Sequence, residues 1–261
     1  MPLYSSDALI LRTYKLGEAD RIVVFLTRDR GKKRGVAKGA RRPRSRFVGA
    51  LEPLTQVRVA YFEKERRELV NLNYSEPSRS PFSSGTVEAL GCAAYFADLI
   101  DEWAPEAHAD ERLYRLGASM VDALAAGVPP EPLARYFEYW LLRLQGVYPP
   151  HVVCERCGKA LVPSAAAALE DIGGFVAAGG RAFRCPECGS NAPAVDAVRS
   201  VSPGALAFLI HAQRLSPPQL SDLAVSRGVL RELEALHRSL IHLHLEREPR
   251  SMKVLREMNR S

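Results

Sequence analysis

The sequence predicts an α+β protein, with an N-terminal OB-fold β-barrel followed by an α-helical domain that carries an inserted four-cysteine zinc module. Three observations predict it. Apolar residues alternate with period two before residue 80, they recur with period 3.6 after Pro81, and four of the five cysteines fall between residues 151 and 200. The chain has 261 residues, 47% apolar and 25% charged, and a mean hydropathy of −0.13. That is enough to bury a real core and excludes a disordered chain or a disulfide miniprotein. No apolar run approaches ~18 residues, and the N-terminus lacks a charged segment followed by an apolar one. Neither a membrane span nor a secretory leader is expected, and a cytoplasmic location is expected in consequence.

In the first module, residues 7–14 and 21–27 alternate apolar and polar positions and are enriched in β-branched and aromatic residues. They read as two strands of a hairpin joined at Lys15-Leu16-Gly17-Glu18. Further strands are expected at 33–40, at 55–62, with Val57, Val59 and Tyr61 on one face, and at 68–74. Five short strands in so small a module point to a barrel, because closure removes exposed edges.

Beyond Pro81 the pattern is helical. Val87, Leu90, Ala94, Ala97, Leu99, Ile100 and Trp103 form one expected apolar stripe, and Leu113, Leu116, Met120 and Leu124 a second. Leu133, Phe137, Trp140, Leu141 and Leu144 form a third, ended by Gly146 and Pro149-Pro150. Ser202-Pro203 supplies an N-cap and a first-turn proline for a fourth helix, and a fifth is expected over 229–246. The expected division is 1–80 barrel, 81–150 and 201–246 helical, 151–200 zinc module, and 247–261 tail.

Cys154-Glu155-Arg156-Cys157-Gly158 and Cys185-Pro186-Glu187-Cys188-Gly189 are two knuckles separated by 27 residues. Each places two thiolates in one tight turn, and together they complete a tetrahedral site with no open position, which describes one structural zinc per chain rather than a catalytic one. His151 is not needed as a ligand. Cys92, in an Ala-rich helix, reads as a small buried residue, and His237, His242 and His244 read as surface or interface histidines.

The net charge of +6 is unevenly placed: residues 1–80 carry 18 Lys/Arg against 9 Asp/Glu, and the rest carries 18 against 21. Residues 28–46 alone hold ten cations and one anion, Asp29. Such density on a barrel points to a polyanion partner. The expected nucleic-acid contacts are Arg30, Lys32, Lys33, Arg34, Lys38, Arg41, Arg42, Arg44 and Arg46 on phosphates, with Phe47 and Tyr61 as stacking aromatics. Gly31, Gly35 and Gly39 are expected to let the backbone approach the ligand closely. No phosphate-loop, nucleophile-elbow or adenylation motif is present, and Asp101/Glu102 is read as an exposed pair at a helix end, so no catalytic residue is expected.

Ala8-Leu9-Ile10-Leu11-Arg12, Gly17-Glu18-Ala19-Asp20-Arg21-Ile22, the run from Arg34 to Arg46 and Ala50-Leu51-Glu52-Pro53-Leu54 together resemble the RecO family of bacterial DNA-repair and recombination mediators. The order of barrel, helices, cysteine module and helices is similar to that family's as well. The resemblance implies a non-enzymatic protein that binds single- and double-stranded DNA, anneals complementary strands and helps load the RecA recombinase. It implies RecR, RecF in some systems and the acidic tail of single-stranded-DNA-binding protein as partners. Composition by itself reaches an OB-like nucleic-acid binder with structural zinc, which leaves open an RNA-binding or transcription-associated protein and an enzyme with an unrecognised metal site.

Overall fold

The computed structural model describes residues 2–64, 68–106, 108–161, 173–177, 179–191 and 198–246. The expected tail at 247–261 and the Ala-rich stretch near residue 165 lie outside the described residues. The described chain forms two compact units, the first running to Pro130 and the second beginning at Glu131.

In the first unit β1 (Leu3–Leu16), β2 (Asp20–Thr27), β3 (Gly31–Ala37), β4 (Gln56–Phe62) and β5 (Leu69–Arg79) close a barrel in the order β1-β2-β3-β5-β4, with β4 returning to β1. All neighbours are antiparallel except β3 and β5. Alternate residues point inward, so Ala8, Ile10, Val23, Phe25, Val57, Val59, Tyr61, Val70 and Leu72 fill the interior. β3 starts earlier and stops sooner than the alternation suggests. Thr27 Oγ1 accepts from the Arg30 amide (3.0 Å) and donates to the Gly31 carbonyl (2.8 Å), which closes a tight β2–β3 turn and starts pairing at Gly31. After Ala37 the backbone bonds locally, Ala40 to Ala37, Arg42 to Gly39 and Ser45 to Arg42, so residues 38–46 form successive turns. β5 continues to Arg79 by pairing along the whole of β4.

Leu9 alternates out of the interior between Ala8 and Ile10 and is still buried, and a register shift on β1 between Ile10 and Arg12 resets the alternation beyond it. Two helices, α1 (Val87–Trp103) and α2 (Glu111–Ala125), complete this unit. Thr86 caps α1 by accepting from the Ala89 amide (3.3 Å), and Asp110 caps α2 by accepting from the Leu113 amide (2.9 Å). A Cβ at Gly117 of α2 would run into the Leu9 side chain and approach Ile100 Cδ1 to 2.9 Å, so α2 lies close on both. The expected α1 stripe needs correction. Ala97, Leu99 and Ile100 are buried as expected, but Val87 and Leu90 are 70% and 57% exposed, and Gly91, Cys92, Ala93, Tyr95 and Phe96, outside the stripe, are buried too. An apolar helix buried around most of its circumference carries little periodic contrast, so the pattern gave the N-terminal part of the face wrongly.

In the second unit α3 (Pro130–Leu144), α5 (Pro203–Arg214) and α6 (Arg227–Leu245) are the main helices. Trp140 Nε1 donates to the Ala212 carbonyl (2.9 Å) and Tyr136 Oη to the Leu215 carbonyl (3.2 Å), tying α3 to α5. Ser202 caps α5 through the Ala205 amide (3.2 Å), with Pro203 opening the helix as its sequence suggests. β6 (Gly174–Ala177), β7 (Phe183–Arg184) and β8 (Val198–Val201) make a small sheet in the order β7-β6-β8, followed in chain order after β7 by the short helix α4 (Pro186–Ser190).

Candidate nucleic-acid interface and metal centre

The two cysteine knuckles are built differently. In the first, the Cys154 amide donates to the Lys159 carbonyl (2.8 Å) and the Gly158 amide to Cys154 (2.9 Å), closing a turn in which Gly158 takes φ of +73°. In the second, Cys185 ends the β7 segment and caps α4, and the Gly189 amide donates to its carbonyl (2.8 Å). The Glu155 amide reaches the Phe183 carbonyl (2.9 Å) and the Arg184 Nε the Glu155 carboxylate (2.7 Å), which bring the knuckles together. All four sulfurs lie within 4.8 Å of one another, and Cys157 and Cys185 are 3.8 Å apart.

Four thiolates around a tetrahedral ion with bonds of about 2.3 Å stand about 3.8 Å apart, so the donor set fits a structural zinc. Electrostatics agree. Burial acts to raise the Cys154 thiol, but backbone amides of Cys185, Cys157 and Arg156 outweigh it and hold the group down at about 6. Hydrogen bonding to Cys185 and the neighbouring thiols pushes Cys188 up to about 12. Four such groups do not ionise together unaided, and a divalent cation held by them would supply the missing charge. Among the described residues this is the group of metal-ligating side chains that clusters.

The basic run divides into two sets. On the β2–β3 hairpin, Arg28 pairs with Glu111 (2.7 Å), Arg30 with Asp29 (3.7 Å), Lys32 with Asp101 (3.4 Å), Lys33 with Glu63 (2.7 Å) and Arg34 with Glu106 (3.5 Å). Lys32 is deeply placed, its Nζ also donating to the Asp101 carbonyl (2.6 Å) and its amide to the Pro105 carbonyl (3.1 Å). Lys38, Arg41, Arg42, Arg44 and Arg46 are exposed on the turns after β3, and among the described residues no carboxylate lies within ion-pair reach of them.

Three sequence expectations need correction here. Phe47 and Tyr61 are buried in the barrel core, Tyr61 edge-on to Phe25 with burial pushing its phenol up to about 12. Their faces are filled by protein, so they offer no platform to a base: Tyr61 shares the inward face of β4 with Val57 and Val59, and Phe47, on the turns after β3, packs into the same core. Gly31 and Gly35 serve the chain's own packing. A Cβ at Gly31, which takes φ of +70°, would collide with the His108 backbone, and one at Gly35 would press on Val70 Cγ2 at 3.0 Å. Asp101 and Glu102 are not freely exposed acids: with Asp98 they surround Arg12, and Asp101 also holds Lys32.

The second unit holds a feature that periodicity missed. His237 is fully buried, with Nδ1 2.9 Å from Glu138 Oε2, and Arg135 Nη2 lies 3.1 Å from Glu138 Oε1. The expected surface role of His237 is therefore corrected. Its position on the Leu233-Leu236-Leu240 face of α6 was the available signal.

The chain matches two family models, Recombination protein O N terminal over residues 1–81 and Recombination protein O C terminal over 84–253. It is 32% identical over 267 residues to a DNA repair protein RecO of Heliobacterium modesticaldum, covering 100% of this chain and 92% of that protein. With the protein of the same name from Desulforudis audaxviator it shares 32% identity over 260 residues, 99% of this chain and 98% of the relative. With that of Koribacter versatilis it shares 40% over 160 residues, 61% of this chain and 65% of the relative. The two models match the barrel and the helical part after it, residues 1–81 and 84–253, and the chain belongs to the recombination protein O family.

Proposed function

We propose that the chain is a DNA repair and recombination mediator that binds single- and double-stranded DNA through phosphate neutralisation, anneals complementary strands, and assists RecA loading onto DNA coated by single-stranded-DNA-binding protein. The observation that carries this reading is the uncompensated set Lys38, Arg41, Arg42, Arg44 and Arg46, set beside β-strand cations that already have carboxylate partners. Exposed cations without carboxylate partners lose little on meeting a phosphate and release its counterions, whereas paired ones must first break an ion pair. A binder that neutralises phosphates also lowers repulsion between two strands and leaves their base edges free, which suits annealing.

In this reading residues 1–80 form the DNA-binding module, 81–150 and 201–246 the helical part and 151–200 the module stapled by one structural zinc on Cys154, Cys157, Cys185 and Cys188. The zinc supplies folding energy, and the protein performs no catalytic step. RecR, the acidic C-terminal tail of single-stranded-DNA-binding protein and RecF are its proposed partners, and the cytoplasm its proposed location; no helix among the described residues is long and apolar enough to cross a membrane.

The test is annealing of complementary oligonucleotides coated with single-stranded-DNA-binding protein. The wild-type chain should accelerate it without a nucleotide. Changing Arg41, Arg42, Arg44 and Arg46 together to Ala should slow annealing more than it weakens single-strand binding. Absence of annealing, or a strict need for ATP, overturns the reading.

A further inference from the structure

We propose that the outer face of β1, β2 and β3 is a base-stacking surface for single-stranded DNA, with Tyr14 as the stacking residue. The proposal rests on the DNA-binding reading above and adds to it where unpaired bases sit. With Phe47 and Tyr61 in the core, the aromatic component of the site has to come from elsewhere on the barrel.

Strand register supplies it. Past the register shift on β1, the residues facing out of the barrel are Arg12 and Tyr14, opposite Val24 and Ile22 on β2, which in turn lie opposite Arg34 and Val36 on β3. β5 continues the two rows with Leu69 and Asn71. Val24 is covered, but the next row is not: Tyr14 is 47% exposed, and Ile22, Val36 and Asn71 are each partly exposed. Side chains directly opposite on neighbouring strands stand about 5 Å apart, so Tyr14, Ile22 and Val36 form a continuous apolar strip with one open aromatic ring, bordered by the polar Asn71.

The ring is also held. Tyr14 Oη accepts from Arg12 Nη1 (3.3 Å), and Arg12 is fixed by Asp98, Asp101 and Glu102 of α1. A ring whose orientation is set in advance loses little freedom on binding.

The same surface carries the phosphate-binding partner of this ring. Arg41 donates its Nη1 to the Gly17 and Glu18 carbonyls (2.9 and 3.0 Å) and its amide to the Ala19 carbonyl (2.9 Å). The Gly39 amide donates to the Asp20 carboxylate (2.7 Å). The uncompensated turns are thereby clasped to the tip of the β1–β2 hairpin. Tyr14 lies three residues from Gly17 in sequence, about 10 Å along the strand. Cations for a backbone and an exposed π-face for a base, side by side, match what a single strand offers and what a duplex, with its bases stacked inside, withholds. The free positive charge beside the strip commits its occupant to a polyanion rather than to an apolar protein surface.

Fluorescence anisotropy with two probes of equal length, an oligothymidylate and an abasic backbone, tests the assignment across a salt series. Wild-type protein should bind the oligothymidylate more tightly than the abasic strand. Tyr14→Ala should weaken oligothymidylate binding roughly 5- to 100-fold and leave abasic affinity and salt slope unchanged, while Tyr14→Phe should keep most of the affinity. Lys38/Arg42/Arg44→Ala should weaken both probes alike and flatten both slopes. Equal wild-type affinity for the two probes, no effect of Tyr14→Ala, or equal loss on both probes would each overturn the stacking assignment while the phosphate reading stands. A wild-type chain that binds neither probe overturns both.

Discussion

His237 Nδ1 lies 2.9 Å from Glu138 Oε2, joining α6 to α3 where neither residue meets solvent. Arg135 completes the group on the other carboxylate oxygen at 3.1 Å. The Tyr148 ring packs edge-on against His237 at 5.7 Å and stacks on Phe183 at 5.8 Å, two residues before Cys185. A buried charge network in the helices and a cysteine knuckle are therefore linked by two aromatic rings.

This network makes stability depend on pH. Burial pulls the His237 imidazole below its ordinary 6.5, against the opposing pull of Glu138, so the ring is neutral at pH 7 and donates its Nδ1 proton to the carboxylate. Below pH 6.5 the unfolded chain takes up a proton at this position that the folded chain resists. The contribution is thus complete above 6.5 and lost as pH falls, by up to about 1.4 kcal/mol per pH unit. Urea unfolding from pH 8 to 5 should show this loss in the wild type. His237→Gln should lack that component, with Arg135, Glu138, Tyr139 and Tyr148 unchanged around it.

Removing one partner of the buried ion pair should be far worse than removing both. Glu138→Ala leaves the Arg135 guanidinium, 2% exposed, without a counter-charge, and should cost about 3–5 kcal/mol. Arg135→Met with Glu138→Leu should lose much less, because no charge stays buried alone. Chemical denaturation of both variants measures the difference.

Gly31→Ala should destabilise the first unit strongly. The substituted residue must keep a φ of +70° and place its Cβ into the His108 backbone, which has no flexible side-chain end to yield. Strain and overlap together should exceed about 3 kcal/mol, visible as a lowered melting temperature.

Cations of the two sets should respond differently to substitution. Lys38/Arg42/Arg44→Ala should reduce the salt slope for single strands by about 2, at ~0.7 per phosphate contact, with little change in melting temperature. Lys32→Ala should instead cost roughly 1.5–3 kcal/mol of stability by breaking its bonds to Asp101, and its salt slope should change by less than one contact's worth. Binding isotherms across a salt series, paired with thermal melts, separate the two.

Chelation, or Cys185→Ser, should release one zinc per chain and expose residues 151–200 to protease, because four-thiolate binding is linked to local folding. Metal analysis and limited proteolysis read both effects. A chain purified without zinc and equally resistant with chelator would remove the metal from the account.

The sequence by itself determined the five-stranded barrel, the helices that follow it and the grouping of four cysteines. Each of these is encoded over short range: period two or 3.6 within a segment, Ser202-Pro203 before α5, two cysteines in one turn. Which residues face which neighbour was decided only by the tertiary structure. The β1 register shift sends Tyr14 outward, and barrel closure sends Tyr61 inward, though both are aromatic residues on amphipathic strands. Lys32 and Arg42 are equal in charge and ten residues apart, yet one is held by Asp101 on a helix 69 positions away and the other is free of carboxylates among the described residues. His237 looked like a surface histidine until α3 brought Glu138 beside it. Charge and polarity are local properties of a sequence, but their partners come from distant segments, and only folding fixes which of them are spent inside the protein and which remain for a ligand.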